Sequence, residues 1–113
     1  MSDRTTETQL FVDNDEPLYR QKIAIEKSLA RWVCRGKFDP TKAQKAFRYL
    51  TSEAARRYRR DFSQPLEVAD RREAEKDFAE DFSSRLKGLR AGQPWAKNDF
   101  ASEVLAVLQK CIK

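Results

Sequence analysis

With 113 residues, 40% of them apolar and 36% charged, the chain has material for one helical domain and too little for two independent cores. Its lack of histidine removes the Ser-His and Cys-His nucleophile pairs, the usual general base near neutral pH, and the commonest nitrogen ligand of zinc. No apolar run approaches the roughly 20 residues of a membrane span, and the polar first ten residues lack the apolar core of a secretory signal, so the expected location is cytoplasmic, with no membrane partner.

Residues 1–14 are polar and turn-prone apart from Leu10, Phe11 and Val12, and read as a flexible N-terminal tail ahead of a single domain at 15–113. The first predicted helix spans about 17–35. Asp15 or Asn14 can cap it, Glu16 favours the positive end of its dipole, and Pro17 is tolerated in the first turn. Leu18, Ile25, Leu29, Trp32 and Val33 form its core stripe, with Arg20, Lys27 and Arg31 opposite.

Gly36-Lys37-Phe38-Asp39-Pro40 combines a helix-ending Gly with an Asp cap and a first-turn Pro. The second helix, 40–62, packs through Ala43, Ala46, Phe47, Leu50, Ala54 and Tyr58. So short a connection predicts an N-terminal antiparallel αα-hairpin. Ser63-Gln64-Pro65 ends that helix, and Ser63 can cap a third over 66–90, with Val68, Phe78, Phe82, Leu86 and Leu89 on one side. Asp70 and Glu73 resemble a capping box, which would move that start nearer residue 70. Ala91-Gly92-Gln93-Pro94 is a loop, and Trp95 beside it either packs over the domain's end or forms an exposed contact. Asn98 is a candidate cap for a shorter final helix, 98–112, whose Phe100, Val104, Leu105, Val107, Leu108 and Cys111 cover a broad apolar arc. The fold class is thus all-α, a single-domain bundle of three long helices and a short fourth. Cys34 and Cys111, far apart and in no C-x-x-C pairing, are expected as reduced, packed thiols.

The stretch from Tyr19 to Phe62, with G-K-F-D-P at 36–40, F-R-Y-L at 47–50 and A-A-R-R-Y at 54–58, resembles small uncharacterised proteins encoded by phages and prophages. The resemblance implies an accessory protein of a mobile element and transfers no functional residue.

The net charge of +5 conceals a division. Residues 1–19 carry −4, residues 20–60 +10, residues 61–86 −4 and the remainder +3. On the second predicted helix Lys45, Arg48, Arg56 and Arg59 lie opposite the apolar stripe, flanked by Lys42 and Arg60. On the third, Asp70, Glu73, Asp77, Glu80 and Asp81 share a face opposite the aromatic side. Both rows point outward, so they are expected not to neutralise each other within one molecule. They read as solvated faces, as contacts for a protein partner or for self-association, or, for the basic row, as a phosphate-binding stripe for nucleic acid. Tyr49 and Tyr58 could stack on bases, although Tyr58 and Trp32 fall in core stripes. The carboxylates could in principle hold Mg²⁺, but they lie along a helix surface and do not converge. With no Gly-rich phosphate loop, metalloprotease motif or nucleophile elbow, the chain reads as a non-enzymatic interaction module without cofactor, metal or small-molecule substrate.

Overall fold

Asp15 and Asp39 start the two best-marked helices. In the computed structural model, which describes residues 3–92 and 100–112, the Asp15 carboxylate accepts a hydrogen bond from the Leu18 amide at 3.1 Å and Asp39 one from the Thr41 amide at 2.9 Å. Each helix has a proline in its first turn. Gly36, at φ +68°, ends the earlier one. The Lys37 amide donates to the Trp32 carbonyl at 2.9 Å and the Gly36 amide to Val33 at 3.0 Å, the paired bonds of a Schellman ending. The described residues form five helices and no strand: α1 (Asp3–Asn14), α2 (Glu16–Cys34), α3 (Pro40–Phe62), α4 (Val68–Arg90) and α5 (Ser102–Leu108).

Several sequence expectations need correction. The expected tail is helix α1, packed against α2, α3 and α4. Its anchor is the one apolar island: Val12 is fully buried, and Phe11 meets the rings of Tyr58 and Phe62 at 5.4 and 6.0 Å. Ser63 does not cap the following helix. It closes α3 in the left-handed region at φ +55°, its amide bonded to the Arg59 carbonyl at 2.9 Å. α4 then starts at Val68 behind Glu67 with no side-chain cap; Asp70 lies inside its first turn rather than in a capping box, and Val68 is exposed. The final helix is only seven residues long, and the expected cap Asn98 and the alternatives for Trp95 lie outside the described residues.

A further correction concerns the cysteines. Cys34, at the end of α2, and Cys111, beyond α5, are joined in a disulfide with Cα atoms 5.3 Å apart across a separation of 77 residues. Their spacing in sequence hid a proximity that arises because α5 docks on α2. Lys27 reaches Glu103 at 3.5 Å in the same contact.

Aromatic rings tie the other helices together. Phe47 of α3 stacks on Phe78 of α4 at 5.4 Å, and Phe82 lies between Phe38 and Phe100 at 5.5 and 5.4 Å. Two carboxylates sit among them. Glu75 of α4 accepts from the Thr51 hydroxyl and from Arg72, both at 2.8 Å, and Arg48 Nε lies 3.7 Å from its other oxygen. Glu26 of α2 accepts from Arg85 of α4 at 2.8 Å, and Arg85 also meets Asp81 at 3.0 Å and lies over the Phe100 ring.

Glu26 changes which side of α2 is buried. The buried set is Leu18, Ile23, Glu26, Leu29, Ala30 and Val33, whose centre lies about 60° around the helix from the expected stripe when each residue turns through about 100°. Ile25 becomes half-buried and Trp32 moves to the edge, 36% exposed. Tyr58, also expected in a core stripe, is half-buried against Phe11 and Phe62.

Two predictions follow from these contacts. In the chain-entropy account a disulfide closing so long a loop contributes about 4 kcal/mol. Reducing the protein, or replacing Cys34 and Cys111 with Ser, should therefore lower the unfolding free energy from urea titration by an amount approaching that figure, and an unchanged value would show that the bond does not form. Burial pushes the Glu26 carboxyl above its ordinary 4.5 despite the opposing pull of Arg85 and Lys22. The native state then holds the Glu26 proton more tightly than the unfolded chain, so this contribution is fully present below 4.5 and is lost as pH rises through the raised value. Relative to Glu26→Gln, whose amide oxygen can still accept from Arg85, wild-type stability should fall as pH rises from the ordinary carboxylate range toward neutrality. Parallel urea titrations of the two proteins across that range would measure the difference.

Candidate functional site

α3 is the most basic element of the chain, and its outer face is built by periodicity. Burying Ala43, Phe47, Leu50 and Ala54 turns Lys45, Arg48, Arg56, Arg59 and Arg60 to solvent, all of them exposed, together with Lys42 and Ser52. The five predicted contacts are not equivalent. Arg48 is tied to buried Glu75; Arg56 pairs with Glu53 one turn back; Arg60 meets Asp61 at 3.0 Å, a hydrogen bond that raises the Arg60 pKa. Among the described residues Lys45 and Arg59 have no ion-pair partner. Arg57, off the stripe, is held by Asp15 at 3.6 Å and Glu53 at 3.4 Å.

Tyr49 stands in the middle of this face, 76% exposed. Beside it, Lys42 Nζ lies 5.3 Å from the centre of the Trp32 ring. Trp32, Lys42, Lys45, Arg48, Tyr49 and Ser52 line one shallow concavity of about 560 Å³. Sequence reasoning placed the cations and Tyr49 here but missed Trp32, which hydropathy assigns to the core as long as Glu26 is counted as a surface residue. The available signal was Glu26 itself, whose position lies within the buried arc once Leu29 and Val33 define it.

The acidic row divides. Asp77, Glu80 and Asp81 line a groove between α4 and α1 with Gln9, Asp13 and Lys22, whereas Asp70 and Glu73 are half-buried and partnered. Lys22 meets Asp13 at 3.0 Å, Glu80 meets Lys76 at 3.9 Å, and Asp81 meets Arg85. Burial pushes the Asp77 carboxyl up, with Glu73 and Glu80 adding to the shift. Among the described residues no group of three or more acids or cysteines is arranged to hold a metal ion, and no helix is long and apolar enough to cross a membrane.

Comparisons with protein families, curated proteins and solved structures find no match.

Proposed function

We propose that the protein is a non-enzymatic interaction module that engages a macromolecular partner through its charged helix faces, the outer face of α3 foremost. The observation that carries this reading is the charge of Lys45 and Arg59, which have no ion-pair partner among the described residues and which, with Arg56 and Arg60, spread over an exposed face of α3. Cations in that setting lower their energy by meeting a partner's anions. The resemblance of residues 19–62 to small phage and prophage proteins supports placing the chain among the accessory proteins of a mobile element. We read α2 and α3 as an antiparallel hairpin presenting that face: Arg57 near the end of α3 reaches Asp15 before α2, and Lys42 near the start of α3 covers Trp32 near the end of α2. The cytoplasmic location expected from composition sits poorly with the Cys34–Cys111 disulfide, a feature of oxidising compartments.

A charge-matched comparison tests the face. Arg56→Glu with Arg59→Glu on α3, and Lys87→Glu with Arg90→Glu at the exposed end of α4, change the net charge equally. The α3 pair should weaken binding to immobilised heparin by about tenfold at about 50 mM salt, while the α4 pair leaves it near wild type. Equal losses would mean that net charge alone drives binding.

The groove between α1 and α4, where Asp77, Glu80 and Asp81 gather, favours self-association as a second mode, because it offers carboxylates to the cations of another copy's α3 face. On this reading sedimentation velocity detects oligomers at about 50 mM salt that dissociate at about 200 mM. A monomer at both concentrations removes it.

A further inference from the structure

Tyr49 stands out on the α3 face as a large ring left in solvent. A ring 76% exposed contributes little to packing, and it sits among cations instead of over the core. Lys45, Tyr49, Ser52, Arg56 and Arg59 succeed one another at intervals of three or four residues, an advance of about 4.5–6 Å per step. Trp32 supplies a second aromatic surface in the same concavity, with the Lys42 ammonium at its face.

We infer that this patch binds single-stranded nucleic acid, with bases stacking on Tyr49 and Trp32 while the phosphates between them meet Lys42, Lys45 and, further along α3, Arg56 and Arg59. The inference rests on the proposed role of the α3 face and names its ligand. Two features select this ligand over other polyanions. A planar base covers the flat apolar surface of an aromatic ring, which the carboxylates of an acidic peptide do not. A strand with unpaired bases can present base and phosphate alternately to rings and cations spaced along one helix, whereas a duplex keeps its bases stacked on each other and offers the face only phosphates. Ser52, exposed between Tyr49 and Arg56, adds a hydroxyl that can donate to a phosphate oxygen.

The test is fluorescence anisotropy with a labelled oligothymidylate, a duplex of equal length and a labelled poly-glutamate peptide, using the full oxidised chain. Wild type should bind the single strand more tightly than either of the others, with an affinity that falls between about 50 and about 200 mM salt. Tyr49→Ala should weaken single-strand binding about tenfold or more without changing the salt slope, and Tyr49→Phe should restore it. Because Tyr49 is exposed, circular dichroism of both variants should match wild type. Equal affinity for strand and duplex, poly-glutamate binding as tightly as the strand, or unchanged binding by Tyr49→Ala would each overturn the inference. If heparin binding still depends on Arg56 and Arg59, the α3 face keeps its role and only the stacking ligand is lost; if no polyanion binds, both fall.

Discussion

Glu26 and Arg85 meet at 2.8 Å between α2 and α4, with the Glu26 side chain almost wholly removed from solvent. A carboxylate can occupy such a position only where a cation and hydrogen bonds replace its water. Arg85 does this from one point on α4, held in turn by Asp81 and stacked over Phe100. Rotating α2 to bury Trp32 would carry Glu26 out of reach of its partner. The pair therefore sets which side of α2 faces inward, and with it the appearance of Trp32 at the edge of the α3 face. The net cost of burying Glu26, visible in the upward push on its pKa, is offset by the apolar neighbours Leu29, Ala30 and Val33 buried on the same side.

Glu75 performs a similar task between α3 and α4. With Thr51 and Arg72 on one oxygen and Arg48 near the other, it draws one member of the basic row into an internal contact and leaves its neighbours outward. Of the other six cations on α3, Arg56, Arg57 and Arg60 meet Glu53 or Asp61, whereas Lys42, Lys45 and Arg59 have no ion-pair partner among the described residues. Asp77, Glu80 and Asp81 of α4 look elsewhere, toward α1 and Lys22. The cations of α3 and the acids Asp77, Glu80 and Asp81 thus lie on different surfaces, while Glu75 joins α3 to α4 beside the Phe47–Phe78 stack.

The C-terminal segment is held differently from the rest. α5 is seven residues long, too short to be stable by propagation alone, and it relies on Val104 and Leu108 buried against its neighbours and on the covalent tie of Cys111 to α2. The disulfide and the Schellman ending at Gly36 lie within a few residues of each other, so the end of α2 is fixed both by backbone hydrogen bonding and by a crosslink.

The sequence by itself determined where α2 ends and α3 begins, because capping by Asp15 and Asp39, the proline positions and the left-handed Gly36 are local matters of a few adjacent residues. It also determined the outward face of α3, since Ala43, Phe47, Leu50 and Ala54 leave only one orientation for Lys45, Tyr49, Arg56 and Arg59. Tertiary structure alone decided that residues 3–14 form a packed helix, because Phe11 and Val12 have too little apolar surface to order that segment until Tyr58 and Phe62 meet them. It alone decided the pairing of Cys34 with Cys111, a contact across 77 residues of chain that no local pattern encodes. And it decided the rotation of α2, because hydropathy counts Glu26 as a surface residue, and only the arrival of Arg85 from another helix makes it part of the core and moves Trp32 beside the basic face.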